Sequence, residues 1–123
     1  MFDDLKILYL EDEIIVAMET TAHLESLGFD TVAVAYKLSK AQDAVAQEDF
    51  DIALLDINVG RGETSVALGE ALAEKGTRVV FASGNSSAAR DLRGRGFAFL
   101  DKPFSHSALT QELEAALEPS ETE

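Results

Sequence analysis

The amino-acid sequence predicts an α/β domain built on a doubly wound, five-stranded parallel sheet. Short runs of β-branched and other apolar residues alternate with longer amphipathic segments along the whole chain. One of these runs, residues 52–55, is apolar at every position, which is typical of a strand that is buried on both faces. Gly28 and Gly76 directly follow amphipathic segments, at the position where helices commonly end. This alternation predicts strands that are joined by crossover helices.

Ten elements are predicted in strict alternation. The strands are expected at residues 5–10, 31–35, 52–55, 78–82 and 97–100, and the helices at residues 14–27, 39–48, 63–75 and 88–96, with a fifth helix that Ser105 caps and Pro119 ends. Ser39 and Gln42 have the spacing of a capping box at the start of the second helix. The fourth helix should be short or frayed, because Leu92 is its one large apolar side chain. Gly69, inside the third helix, costs about 1 kcal/mol relative to alanine.

Five such β–α units favour the flavodoxin-like strand order 2-1-3-4-5. In this order the first and third strands are neighbours, so Asp12 and Asp56 lie beside the point where the strand order reverses. The chain is expected to be one domain over residues 1–119, followed by a flexible tail at residues 120–123.

Composition excludes several functions for these 123 residues. The net charge of −13 argues against binding to nucleic acid or to an anionic membrane. There is no cysteine, so disulfides, thiolate metal sites and thiol nucleophiles are excluded. The start of the chain lacks the pattern of a signal peptide and no apolar run is long enough to cross a bilayer, so we expect a cytoplasmic protein.

Chemically matched side chains follow four of the predicted strands. Glu11 and Asp12 follow the first strand, Asp56 the third, Ser83 the fourth and Lys102 the fifth. Taken one at a time, the acids are ordinary residues of helix starts and turns, and Ser83 is an ordinary turn residue. Together, at the edge of the sheet where ligands of open α/β folds bind, they suit a divalent cation and a phosphoryl group.

This set of strand-end residues resembles the receiver domain of two-component response regulators. The resemblance covers residues 5–117 and includes Lys102-Pro103, which it implies to be a cis peptide. Residues 79–85, Val-Val-Phe-Ala-Ser-Gly-Asn, also resemble a mostly single-domain subgroup that carries Phe-Ala-Thr-Gly. The sequence departs from that subgroup at two positions. It has Ser83 where the subgroup has threonine, and it has Asn85, which is otherwise an ordinary turn residue, where the subgroup often has an apolar residue or tyrosine.

The resemblance implies a role for each site residue. Asp56 would be the phosphoacceptor, and Lys102 and Ser83 would contact the phosphoryl oxygens. Mg²⁺, with Mn²⁺ as a possible substitute, would be held by Asp12, Asp56 and the backbone carbonyl of Asn58, and by Glu11 through water. Ser83 and Phe99 occupy the switch positions, and Phe99 is expected to move inward on phosphorylation.

The first helix carries two apolar stripes. One should face the sheet and consists of Val16, Ala17, Thr20, Leu24 and Leu27. The other points away from it and consists of Ile15, Met18 and Ala22, which we call the α1 apolar stripe. Exposed apolar residues of this kind often mark a partner surface, and the resemblance implies a sensor histidine kinase or a histidine phosphotransferase as the partner.

The expected function is that of a single-domain response regulator. It would take a phosphoryl group from phosphohistidine, shuttle it or bind a partner in response, and catalyse only its own phosphorylation and slow autodephosphorylation. One alternative is a haloacid-dehalogenase-like phosphatase, although that family needs an acid where this chain has Asn58. The other is a pseudo-receiver that binds a partner without being phosphorylated.

Five basic side chains outside the site receive a plainer interpretation. His23 and His106 are expected to lie far apart on solvated faces of their helices, and neither is expected to bind a metal. Arg90, Arg93 and Arg95 are expected to form a solvated face, with a partner contact as the less favoured reading.

Overall fold

The computed structural model describes residues 2–60, 62–85, 87 and 89–118. Five strands form one sheet in the order β2-β1-β3-β4-β5, and every neighbouring pair is parallel, which confirms the predicted flavodoxin-like order. The elements are β1 (Lys6–Leu10), α1 (Ile14–Ser26), β2 (Thr31–Ala35), α2 (Leu38–Gln47), β3 (Ile52–Asp56), α3 (Val66–Glu74), β4 (Arg78–Ser83), α4 (Ala89–Gly94), β5 (Ala98–Asp101) and α5 (His106–Leu117).

Two predicted helix starts are wrong. α2 begins one residue early, because the Lys37 carbonyl accepts the first helical bonds from Lys40 and Ala41, and no side chain caps the helix. The capping box predicted at Ser39 is therefore absent. α3 begins at Val66 rather than at residue 63, because residues 58 and 64 pair with each other across the preceding loop. The cap predicted for α5 is confirmed, since the Ser105 hydroxyl accepts a hydrogen bond from the Ala108 amide.

The core lies in two layers, one on each face of the sheet. Alternate residues of the central strands supply the two layers, so that Leu55 and Phe81 face α2, α3 and α4 while Leu54 faces α1 and α5. All five residues of β3 are buried, as expected for the middle strand of a parallel sheet. This burial fixes the end of β3, where Asp56 lies.

Gly69 of α3 packs directly against the buried ring of Phe81. A Cβ atom at this position would lie 2.8 Å from Phe81 Cε1 and nearer still to Cζ, closer than carbon atoms can approach without a shift. Phe81 in turn contacts Phe97 edge to face, with ring centroids 5.1 Å apart. The glycine that looks unfavourable for the helix is therefore required by the packing of the helix on the sheet.

α4 is short, as predicted, and Leu92 is its one described buried residue. All three arginines expected on a solvated face are exposed, and two of them also make contacts within the domain. Arg93 donates a 2.6 Å hydrogen bond to the Phe99 carbonyl, and Arg95 pairs with Glu70 and lies over the Phe97 ring. These contacts join α4 to β5 and α3 through side chains at its surface.

The expectation that His23 and His106 lie far apart is wrong. Their rings are stacked between α1 and α5, with centroids 4.2 Å apart and an interplanar angle of 14°. His23 Nε2 also lies 2.9 Å from the Thr110 hydroxyl. Burial, together with the charge of His106, lowers the pKa of His23. The pair forms part of the contact between the two helices that cover the same face of the sheet.

Two predictions concern the ends of the chain and its hydropathy. Pro119 and the expected tail at residues 120–123 lie outside the described residues. Among the residues that the structure describes, none of the helices has the length and apolar character needed to span a membrane.

Candidate functional site

The carboxyl ends of β1 and β3 bring three carboxylates together. One oxygen each from Glu11, Asp12 and Asp56 lie within 4.8 Å of one another. Glu11 and Asp56 are buried, with 1% and 6% of their surface exposed, whereas Asp12 is exposed. These are the acids that the sequence placed at this edge, and their clustering is confirmed.

Lys102 reaches this cluster from the end of β5. Its ammonium donates to both oxygens of Glu11, at 2.9 and 3.0 Å, and to Asp56 Oδ2 at 3.2 Å. A fourth, longer contact of 3.4 Å is made to Glu13, an exposed residue that the sequence analysis did not assign to the site. The Lys102-Pro103 bond is cis, as the resemblance implied.

Burial and charge act in opposite directions on the site. Burial raises the pKa of Asp56, the Lys102 charge lowers it and the Glu11 charge raises it, and the net result is a pKa of about 7. Burial alone lowers the pKa of Lys102, but its hydrogen bond to Glu11 and the charge of Asp56 outweigh that effect and raise it. The site therefore holds the Lys102 ammonium beside carboxylates, and this positive charge only partly offsets their mutual repulsion.

The donor set suits a hard divalent cation. Every candidate ligand is a carboxylate or carbonyl oxygen, and such oxygens are what Mg²⁺ prefers, usually through one or two carboxylates with waters and phosphate oxygens completing the shell. Asp12, Asp56 and Asn58 all line one open cavity of about 630 Å³, which Lys102 also lines. The residues present therefore fit Mg²⁺ together with a phosphoryl group.

Ser83 ends β4, where it is 1% exposed, and its hydroxyl accepts a hydrogen bond from the Asn85 amide at 3.0 Å. The Asn85 side chain accepts from the Ser87 amide and hydroxyl, which is the turn-forming role that its type suggested. Phe99 is buried, with 1% of its surface exposed, so its ring already lies inside the domain. Its movement on phosphorylation stays a prediction.

The α1 apolar stripe begins three residues after Asp12, on the helix that borders this cavity. Ile15 and Met18 are 74% and 63% exposed, Ala22 is exposed, and Ile14, which the sequence analysis did not include, is 61% exposed. The opposite stripe contains the three buried residues of the helix, Ala17, Thr20 and Leu24. The predicted division of α1 into a buried and an exposed apolar face is confirmed.

Ser65 is a residue that the sequence analysis missed. It precedes α3, is 0% exposed, and its hydroxyl donates a 2.8 Å hydrogen bond to the Asp56 carbonyl. A serine close to a helix start gives no local sign of such a contact, because the acceptor lies nine residues away.

Solved structures resemble the chain over most of its length. A CheY-like receiver domain from Methylobacillus flagellatus is 26% identical with a TM-score of 0.74, and the match covers 91% of this chain and 98% of that one. NtrX from Brucella abortus, determined in complex with ATP, is 27% identical with a TM-score of 0.79, covering 92% of this chain and 27% of that one. TrrA from Thermotoga maritima, determined with Mg²⁺ and BeF, shares the fold at 18% identity and a TM-score of 0.78, covering 92% and 99%.

No curated protein matches the chain. The model of the response regulator receiver domain matches residues 7–114, a span that contains every residue of the acidic cluster as well as Ser83 and Lys102. The match identifies the family as a whole, so the Phe-Ala-Thr-Gly subgroup stays a prediction. The chain belongs to the response regulator receiver domain family of two-component systems.

Proposed function

We propose that this protein is a phosphoacceptor that takes a phosphoryl group from phosphohistidine onto Asp56. The observation that carries the proposal is the contact of the Lys102 ammonium with Asp56 at 3.2 Å, beside three clustered carboxylates at the end of a buried strand. Phosphoryl transfer asks a protein mainly for positioning and for neutralised phosphoryl oxygens, and this arrangement supplies both.

In the transfer step an Asp56 carboxylate oxygen attacks the phosphorus atom of a phosphohistidine. The new O–P bond forms as the P–N bond breaks, and the electron pair of the P–N bond remains on the imidazole nitrogen of the donor. Lys102 faces the developing charge on the phosphoryl oxygens, and the Ser83 hydroxyl at the end of β4 would donate to one of them. When Mg²⁺ is bound, it supplies further charge neutralisation through Asp12, Asp56 and the Asn58 carbonyl, with Glu11 acting through water.

The protein is proposed to be a stoichiometric acceptor rather than an enzyme with an external substrate. It would assist its own phosphorylation and slow autodephosphorylation, and would act by shuttling the group or by binding a partner. Family membership favours this function over a haloacid-dehalogenase-like phosphatase. The buried acids and the lysine in contact with them favour it over a pseudo-receiver.

The test is intact-mass analysis after incubation with acetyl phosphate and Mg²⁺. Wild-type protein is expected to gain one phosphoryl group, and Asp56→Asn none. Asp101→Asn is the matched control, because Asp101 is also a carboxylate at the end of a strand but is exposed. Equal labelling of Asp56→Asn and the wild-type protein would refute the assignment, and absence of labelling in the wild-type protein would favour the pseudo-receiver.

The α1 apolar stripe is proposed to receive the phosphodonor, either a histidine kinase or a histidine phosphotransferase. The stripe begins three residues after Asp12, and another face of α1 lines the cavity that contains Asp56, so a partner lying on the stripe would be close to the acceptor. Large exposed apolar side chains of this kind often supply most of the binding energy in a small interface.

Ile15→Asp and Met18→Asp are expected to slow transfer from the cognate donor at least about tenfold, if each removes more than about 1.4 kcal/mol of binding energy. Labelling by acetyl phosphate should stay at the wild-type rate, because neither residue touches the site. Tyr36→Asp is the matched control, since Tyr36 is 45% exposed on a different part of the surface. If transfer to both α1 variants keeps the wild-type rate, the docking assignment is wrong.

A further inference from the structure

One buried hydroxyl links the phosphoacceptor to the loop that follows it. Ser65 is fully buried, and its hydroxyl donates to the Asp56 carbonyl at 2.8 Å. Its amide donates to the Ile57 carbonyl at 3.0 Å, and its own carbonyl accepts from the Gly69 amide in the first turn of α3. A single residue therefore joins the end of β3 to the start of a helix.

The Ser65 hydroxyl takes the place of a backbone donor that β1 does not provide at Asp56. The pairing of β3 with β1 ends at Leu55, so the Asp56 carbonyl lies one residue past the end of that ladder. Buried carbonyls in proteins are nearly always hydrogen-bonded, and leaving one without a partner costs about 1 to 3 kcal/mol. The Ser65 hydroxyl satisfies this carbonyl from outside the sheet.

The same contact closes the loop that carries Asn58. Within this loop the Val59 amide donates to the Glu63 carbonyl, and the Glu63 amide donates to the Gly60 carbonyl at 2.9 Å. Residues 58 and 64 form an antiparallel bridge, directly before Ser65. The backbone position of Asn58 is thus set by a small closed loop whose two ends meet at Ser65 and Ile57.

We propose that Ser65 is a positioning residue, which holds the backbone of Asp56 and of the loop that carries Asn58 in place, and thereby sets how tightly the Asp56 carboxylate and the Asn58 carbonyl bind a divalent cation. The inference rests on the proposed function, because Asp56 and Asn58 are the ligands assigned there. Ser65 itself touches neither metal nor phosphoryl group. Residues that orient metal ligands in this way typically change metal affinity by about 10- to 100-fold when they are replaced.

Ser65→Ala removes the hydroxyl and leaves the amide in place. Thr77→Val is the matched control, because the buried Thr77 hydroxyl also donates to a backbone carbonyl, that of Phe50 at 2.9 Å, at the opposite end of the sheet. Two quantities are measured: the Kd for Mg²⁺ by titration, and amide exchange of Val59 and Glu63 in metal-free buffer.

Ser65→Ala is expected to raise the Kd for Mg²⁺ about tenfold, following the effect of other residues that orient ligands. Exchange at Val59 and Glu63 should become faster than in the wild-type protein, even without metal. Thr77→Val should leave both quantities within about twofold of wild type, whatever it does to the melting temperature.

The proposal is overturned if Ser65→Ala keeps the wild-type Kd, or if Thr77→Val weakens Mg²⁺ binding as much, since the effect would then be general destabilisation. Failure of the proposed function would be seen in a different experiment, as a wild-type protein that acetyl phosphate does not label. Unchanged exchange at Val59 and Glu63 in metal-free Ser65→Ala would reject the positioning role independently of phosphorylation.

Discussion

In buffer stripped of divalent cations, Asp56→Asn is expected to unfold at a higher temperature than the wild-type protein. The Asp56 carboxylate is buried, and that burial is the main reason that its pKa lies near 7 rather than at 3.8. A pKa that is raised by about 3 corresponds to a penalty on the order of 2 to 4 kcal/mol for keeping the charged form folded at high pH. Asparagine removes the charge and hence the penalty.

The pH dependence follows from the direction of that pKa. Because the folded protein holds the Asp56 proton more tightly than the unfolded chain does, the penalty is complete above pH 7 and disappears as the pH falls toward 4. The stability gain of Asp56→Asn should therefore be largest at pH 8 and less than about half as large at pH 5. Thermal unfolding at both pH values in EDTA measures it, with about 4 °C expected for each kcal/mol.

Mg²⁺ should remove most of the difference in stability between the two proteins. A ligand that binds only the folded state adds about 2.7 kcal/mol at 100 times its Kd, so wild-type protein should gain strongly and Asp56→Asn much less. Asp12→Asn should also lose most of the Mg²⁺ response, and Asp101→Asn should keep it. A wild-type melting temperature that does not respond to Mg²⁺, or an Asp56→Asn variant that is less stable than wild type in EDTA, contradicts this account.

Gly69→Ala is expected to destabilise the domain by about 1 to 3 kcal/mol, which is the usual range for overpacking a core. Helix propensity alone predicts the opposite, a gain of about 1 kcal/mol. Packing decides the sign, because the new methyl group would meet the buried Phe81 ring at 2.8 Å or less. Chemical denaturation of the two proteins measures the difference in the free energy of unfolding.

Gly94→Ala is the matched control for that experiment. Gly94 also lies in a helix, but a Cβ atom there would meet nothing within 4 Å, so this variant should be neutral or slightly more stable. Gly69→Ala should cost less in a Phe81→Leu background than in the wild-type protein, because the smaller side chain makes room for the methyl group. If Gly69→Ala is as stable as Gly94→Ala, α3 moves away from β4 without penalty and the packing argument is wrong.

Much of the fold and of the site could be predicted from the sequence, because both depend on signals that are local in the chain. Continuous apolar runs gave the strands, and the residues that follow them gave Asp12, Asp56, Ser83 and Lys102. The parallel order then placed these side chains at one edge of the sheet without further information.

The features that sequence reasoning missed all depend on contacts between distant segments. The role of Ser65 depends on a hydrogen bond to a carbonyl nine residues away. The stacking of His23 with His106 arises only when α1 and α5 pack side by side. Gly69 lies in the predicted helix, but helix propensity gives the wrong sign for the effect of Gly69→Ala on stability, because its partner Phe81 lies on another element. Propensity describes a residue in isolation, and these three residues are defined by their neighbours.

α4 buries a single leucine, Leu92, so little apolar burial opposes detachment of this helix from the domain. Burying one leucine side chain contributes about 1.5 to 3 kcal/mol, and exposed ion pairs such as that of Arg95 with Asp91 add little. Burial worth about 2 kcal/mol would by itself leave roughly one molecule in thirty with the helix detached, and the contacts of Arg93 with the Phe99 carbonyl and of Arg95 with Glu70 lower that fraction. A partner that recognises the surface beneath α4 would thus meet a small standing population already open, and phosphorylation would only need to change its size.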